Sequence, residues 1–478
     1  MNSSSASPAL VAQRSLRESS RGLADGTLSC EVLAADCIEQ RQRFDPSLFA
    51  YHQYYDDQLL SSAAVASARL RQGGAPAVCG IPFSVKNVMA ATGYACYPGT
   101  RVPAPARWQT DGEVVAGLRG QGALLTGTTH ASELAVGGLG VNEHWGTPRN
   151  PWDAGGHRVP GGSSSGAAIS VLQGACGFAL GTDTGGSVRV PASAAGVVGL
   201  KTTTGRWPLS GVVPLASRFD TVGVFTRTVE DLVFVFEQID SHFGHDAAEL
   251  NLELTDFRFM RASAVCWSGL DEGIADAVEA ALSLLAGAGV TLEDDNELFA
   301  EAASIRDRGP NTAAIECHRM IDAHLPDIRP HLSRHVASFL EGGLSVTEAQ
   351  YQGRVETIKA WRNTVDKRLG EHDIVVLPTL RETPPLLDAL DDPECYAHYS
   401  DSLLHNTVLG SVNGMCAVTV PVGLDAAGMP VGLQLAARAN AEPMLLHVAA
   451  LVEQVIGTAT ERCGYPPLLE SLYNPPTS

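Results

Sequence analysis

The feature that most limits what this chain can fold into lies between residues 80 and 232. Short apolar runs there are cut by glycine-rich turns: "GIPFSVKNV", "GALLTGT", "GACGFALGT" and "GVVGLKTTTG". Each run has the length of one buried strand and is too short for a helix. Helical stretches alternate with them, among them "DGEVVAGLRGQG", "GAAISVLQG" and "TVEDLVFVFEQI". A chain written this way has to make an α/β fold, a single large mixed β-sheet core surrounded by helices.

The flanks extend that reading. Residues 27–72 carry apolar positions at helical spacing and read as helical. Residues 240–345 read as an insertion or cap, with a strand-like "SAVCW" and an amphipathic helix in "GIADAVEAALSLLAGAG". A longer helix then begins at a capping box read from Ser345 to Glu348 and runs to Leu369, with Gly370 as its stop. "HDIVVLPT" and "CAVTVPVG…PVGLQLAA" return to strands, and "EPMLLHVAALVEQVIG" closes as a helix. The expected organisation is one domain over 26–470 behind a disordered lead at 1–25. Its core is read at about 78–232 and 374–456, and its variable part at about 240–345.

Charge and cysteine usage exclude several classes. A formal net charge of −20 offers no basic face for a nucleic-acid backbone. The ten cysteines are scattered singly, with no C-x-x-C pair and no zinc-like spacing, which suits buried thiols in a reducing compartment. The start lacks an apolar h-region, and the nearest approach to a membrane span, Ala167 to Gly181, is broken by Ser170 and Gln173. The expectation is a cytoplasmic protein without a metal, cofactor, nucleic-acid or membrane partner, with a homodimer left open.

Against that background one lysine stands out. The chain has only four: Lys86, Lys201, Lys359 and Lys367. Lys86 sits inside the apolar run Ile81-Pro82-Phe83-Ser84-Val85, where a charged ammonium is costly unless it is paired or loses its proton. The segment "PGGSSSGAAISVLQGACGFALGTDTGGSVRVPAS" gives such a base something to act on. As a mere flexible linker it would not be set in an apolar region. As a phosphate cradle it lacks the lysine of a P-loop. As an α/β-hydrolase nucleophile elbow, Gly162–Gly166 matches with Ser164 central, but no buried strand precedes it. The remaining reading joins Ser187, on a turn after Gly185-Gly186, to a neutral Lys86, with converging backbone N–H groups beside the hydroxyl.

These residues resemble the amidase signature family of serine hydrolases. "GGSSSG", the serine of "GTDTGGSVRVPAS" and the upstream "GIPFSVKN" carry the likeness, with "NEHWGTPRNPWD", "GLKTTTGR", "FDTVGVFTRTVEDL" and "NGMCAVTVPVGLDAAGMPVGLQL". The resemblance implies Ser187 as nucleophile, Lys86 as base and Ser163 as the proton relay, held through a cis peptide at Gly162–Ser163. It places the oxyanion hole at the N–H groups of Thr184, Gly185, Gly186 and Ser187. Asp183, Arg189, Ser164 and Gly162 are expected to support the site, and Gly137, Gly138 and Met89 to meet the substrate. The implied activity is hydrolysis of a small or medium carboxamide, or a urea-like or carbamoyl compound, without a cofactor. The alternatives are the amidase-type subunit of a glutamine-dependent amidotransferase, a Ser164 esterase, a non-catalytic binder on the same fold and an activity on an enamine nitrogen. Departures from the family pattern at Asn87, "TGTTHASELA" and "DAGGHRVPGG" lie near where a substrate would enter.

Overall fold

The computed structural model describes residues 14–245, 250–294 and 297–473. Eleven strands form one mixed sheet: β1 (Tyr51–Gln53), β2 (Pro82–Lys86), β3 (Leu124–Thr129), β4 (Phe178–Asp183), β5 (Val198–Lys201), β6 (Thr221–Thr226), β7 (Arg258–Arg261), β8 (Leu292–Asp294), β9 (Asp373–Pro378), β10 (Cys416–Leu424) and β11 (Pro430–Ala437). Their order across the sheet is β1-β3-β2-β4-β6-β5-β10-β11-β9-β7-β8. Strand β2 runs parallel to both its neighbours, β3 and β4, and β10 and β11 form an antiparallel hairpin.

Both faces of this sheet are covered, which is why its strands read as nearly continuous apolar runs. Alternate residues go to opposite sides. Phe178, Leu180, Val198, Leu200, Val222, Val224, Val418 and Val420 pack with the Val229–His242 and Glu442–Ile456 helices. Ala179 and Phe225, from the intervening positions, pack with the Ser165–Leu172 and Arg189–Ala195 helices. Farther along, Val375, Leu377, Ala417 and Ala436 meet the Leu298–Asp307 and Glu348–Arg368 helices. The same alternation governs β2. Phe83 and Val85 enter the first cluster, while Ser84 Oγ lies 2.8 Å from Ser170 Oγ on the Ser165–Leu172 helix. Lys86, two residues on, is therefore carried to the helix side, toward the glycine-serine segment.

Several expectations need correction. The lead at 1–25 is not disordered throughout. Residues 1–13 lie outside the described residues, but Leu16–Asp25 is a helix closed by a reciprocal capping box between Ser15 and Glu18. Leu16 and Leu23 are buried in the main core, and Leu16 N–H donates to the Asp231 carboxylate at 2.5 Å. The 27–72 region is two helices, Cys30–Leu48 and Asp56–Gln72, parted by the edge strand β1. The Asp45 carboxylate accepts the Ala50 and Tyr51 N–H groups there and turns the chain.

"SAVCW" carries a 3-10 turn at Ala264–Cys266, and the strand is β7 just before it. Strands β7 and β8 extend the common sheet, so the 240–345 region is not wholly a cap. The long helix is capped by Thr347 and Gln350, two residues later than the box read at Ser345. The stretch Glu442–Cys463 is long and apolar enough to cross a membrane by length and composition. Gly457 divides it, and its first part packs on β10 and β11.

If the first helix is part of the fold, truncating its fully buried leucine must cost core energy. Leu16→Ala is expected to lower unfolding free energy by about 2–5 kcal/mol, the range for buried leucines. The check is the urea midpoint at unchanged slope. A midpoint equal to wild type would show the helix to be an ornament.

Candidate active site

Lys86 ends β2 with its side chain fully buried. Its Nζ donates to Ser163 Oγ at 2.8 Å and to Thr182 Oγ1 at 2.9 Å, and no carboxylate lies within ion-pair distance among the described residues. Burial pulls its pKa from 10.5 down to about 7; Asp183 and Asp220 raise it only in part. A large share of the amine is therefore neutral near pH 7, in hydrogen-bond contact with two hydroxyl groups. Of the other lysines, Lys201 is also buried but donates to the Thr202 and Met415 carbonyls.

Ser163 follows a cis peptide bond at Gly162–Ser163. Close backbone packing sets its position. Gly162 N–H donates to Gly138 O at 2.7 Å, and Ser132 N–H donates to Ser163 O at 3.1 Å. A Cβ on Gly162 would stand 2.4 Å from the Gly140 nitrogen, so only glycine fits. Ser164 is fully buried, with its Oγ donating to Thr182 O at 3.2 Å just before the Ser165–Leu172 helix. No strand ends directly before it and it is not among the residues lining the cavity that Ser187 lines, which speaks against the nucleophile-elbow reading.

Ser187 comes off the end of β4. Ser164 N–H donates to Ser187 O at 3.2 Å, which ties the two serine segments together. Among the described residues the backbone N–H groups of Gly185, Gly186 and Ser187 have no protein acceptor. Gly186 has φ +147, and a Cβ there would lie 2.1 Å from Thr407 Oγ1. That hydroxyl in turn donates to Gly185 O at 2.7 Å, holding the carbonyl side of the turn.

The turn is anchored from below. Asp183 and Arg189 form a fully buried ion pair at 2.9 Å. Arg189 also donates to Thr407 O, Gln434 Oε1 and Ser411 Oγ, which binds the turn to β11 and the His405–Val412 helix. Burial alone would raise the Asp183 carboxyl, but the Arg189 guanidinium and then Lys201 outweigh it and keep it below its ordinary value. Thr184 Oγ1 donates to Asp220 at 2.5 Å, and Asp220 also accepts the Leu215 and Ala216 N–H groups.

Ser187, Thr184 and Gly185 line a cavity of about 810 Å³. Its apolar wall includes Phe219, Ile358, Leu404 and Val408, and Gly137 stands at its edge. Two expected substrate contacts lie elsewhere. Met89 is buried in a bridge with Val212 and does not line the cavity. Gly138 holds Gly162 and packs against Leu404. Sequence reasoning missed Thr182, Asp220 and Thr407. Asp220 left a signal, a lone acid at the head of the apolar run "FDTVGVF", but Thr407 lies far along the chain from the serine turn it supports.

The Lys86–Ser163 contact, beside the Ser187 turn that lines the cavity, can serve attack on a carbonyl-type carbon. Comparison with known proteins gives the family. The family described as Amidase matches residues 32–446. The chain is 39% identical to the 2-amino-5-chloromuconic acid deaminase of Comamonas testosteroni over 96% of this chain and 99% of that one. It is 31% identical to a glutamyl-tRNA(Gln) amidotransferase subunit of Halorhodospira halophila, over 93% of this chain and 97% of that one. A crystal structure of an amidase superposes with a TM-score of 0.81 at 26% identity, covering 93% of this chain and 100% of that one. The chain belongs to the amidase family and is a hydrolase of carbon–nitrogen bonds.

The crowding at Gly186 gives a direct check on the turn. Gly186→Ala is expected to displace the Thr407 contact and slow fluorophosphonate labelling of the protein at least ~10²-fold, the cost of one lost oxyanion donor. Far-UV circular dichroism should stay that of the wild type. Labelling at the wild-type rate would mean that the turn has no part in the chemistry.

Proposed function

We propose that the chain hydrolyses a C–N bond of a small molecule through a covalent intermediate on Ser187, with Lys86 as base and Ser163 as proton relay. The observation that carries this is the 2.8 Å contact between a fully buried, carboxylate-free Lys86 Nζ and Ser163 Oγ, next to a cavity lined by Ser187. Ser163 passes its proton to neutral Lys86 and takes the proton of Ser187, whose Oγ bonds to the substrate carbonyl carbon. The charge that develops on the carbonyl oxygen falls to the free N–H groups of the 185–187 turn. As the C–N bond breaks, the relay returns the proton to the leaving nitrogen. Water then adds to the acyl carbon, and the O–C bond to Ser187 breaks with the proton back on Oγ.

A second reading of the substrate is favoured by the 39% identity to a deaminase of an amino-muconic acid across nearly the whole of both chains. The nitrogen would then leave an unsaturated amino acid in its imine form. Ser187 Oγ adds to the C=N carbon, and the C–N bond breaks as the relay protonates the nitrogen to ammonia. Water adds to that carbon as the bond to Oγ breaks, leaving a carbonyl compound and free Ser187. Identity to the amidotransferase protein supports a third substrate, glutamine, for the same serine.

The test is a substrate panel with the isolated chain: simple carboxamides, a 2-aminomuconate and glutamine, with ammonia as the readout. Ser187→Ala and Lys86→Ala should each lower the wild-type rate at least ~10³-fold, as expected when a nucleophile or its base is lost. Because the active form of Lys86 is the neutral amine, the rate should rise as pH increases through about 7 and level off above it. A rate that falls over that range, or a Ser187→Ala variant that still turns over, would overturn the mechanism.

A further inference from the structure

The cavity also carries charge that hydrolysis at Ser187 does not use. Arg306 and Arg354 line it together with His405 and Thr312. The acids among its lining residues, Asp307 and Asp401, are exposed, whereas His405 and Thr312 are only 7% and 5% exposed. In a chain of net charge −20, guanidinium groups lining this cavity call for a reason.

The polar atoms there are arranged as donors in want of an acceptor. Arg306 Nη1 donates to His405 Nδ1 at 3.2 Å and its Nε to Asp307 at 2.7 Å, leaving Nη2 without a protein acceptor among the described residues. A guanidinium only donates, so His405 Nδ1 is the accepting nitrogen and Nε2 carries the proton. Burial, with Arg381 and Arg306 beside it, pushes His405 down to about 4, so the ring stays neutral and keeps this role. Among the described residues its Nε2 has no partner, and neither has Thr312 Oγ1 or Arg354 Nε. Arg354 has no ion-pair partner among the described residues. Its Nη1 donates to Ile305 O and its Nη2 to Arg306 O, so it braces the backbone that carries Arg306. A Cβ at Gly309 would come within 2.9 Å of the Arg354 side chain, so glycine leaves the room for this brace. Buried donors without acceptors are costly unless a ligand supplies oxygen atoms.

We propose that Arg306 recognises a carboxylate of the substrate, remote from the C–N bond attacked by Ser187, and that His405 and Arg354 are the residues that position it. The planar guanidinium fork suits a carboxylate better than a neutral amide. This rests on the reading of Ser187 as nucleophile and deepens it: the enzyme acts on amides or amines of carboxylic acids, not on neutral amides.

The experiment compares adipamate, the monoamide of a six-carbon dicarboxylic acid, with neutral heptanamide, and uses adipate as a binding probe. In the wild type, adipamate should be preferred at least ~30-fold in kcat/KM, and adipate should protect Ser187 from fluorophosphonate. Arg306→Gln should shrink the preference toward unity through a raised KM for adipamate and abolish protection. Arg306→Lys should restore part of each, and melting temperatures within a few degrees of wild type show that the variants fold. Arg354→Gln should raise KM for adipamate with little change in kcat, a split that general loosening of the fold would not give. If Ser187 is never labelled, the proposed function itself fails. If Ser187 is labelled but adipate gives no protection and heptanamide is used as well as adipamate, carboxylate recognition alone is overturned. Protection by inorganic phosphate equal to that by adipate would also overturn it, as the mark of an unspecific anion site.

Discussion

The structure depends on one buried amine. Lys86 is placed at the end of an interior strand, away from water and, among the described residues, without a carboxylate in contact, so its charged form is penalised and its neutral form is available. The strand alternation that sends Ser84 to the Ser165–Leu172 helix also sends Lys86 toward Ser163. The glycines at 138, 140 and 162 let three backbone segments approach closely enough to leave Ser163 Oγ at 2.8 Å. The buried Asp183–Arg189 pair then fixes the Ser187 turn against the His405–Val412 helix and β11. Such a pair adds little net stability compared with apolar packing, but breaking it would strand a charge in the core. Its contribution is to hold the turn in one geometry.

The division of labour within the fold follows from this. The elements β2, β4 and the two glycine segments carry Lys86, Ser163 and Ser187, the groups proposed to react. Much of the cavity wall is supplied by helices between 298 and 412, of which those before 374 lie outside the two stretches read as the core. The proposed chemistry and most of the cavity wall are thus built from different stretches. One frame and one family can accommodate relatives named for an amidotransferase subunit, a deaminase and an amidase.

Much of this was legible in the residues, for physical reasons. The sheet could be read because strands covered on both faces have to be apolar, and Lys86 because its charge contradicts its neighbours. The Asp183 and Arg189 supports could be read only through the family resemblance. Local competition hid other features. Ser15 and Glu18 spell a capping box, but a surrounding run of serine and arginine masks the helix they start. Ser345 and Thr347 both offer a cap, and the reciprocal bonds form between Thr347 and Gln350. Met89 lies close to Lys86 in sequence, yet its bridge to Val212 keeps it out of the cavity. Thr182, Thr407 and the Arg306–His405 pair could not be seen because their partners are distant in the chain, and no periodicity records such contacts.

The central claim is that Lys86 is a neutral base near pH 7, and the scarcity of lysine makes it measurable. Nitrogen-15 labelling of the four lysine side chains gives a spectrum simple enough to titrate residue by residue, with Lys86→Met and Lys201→Met for assignment. The Lys86 Nζ resonance is expected to titrate near pH 7. A Lys86 that keeps its proton to about pH 10, the ordinary lysine range, would contradict it.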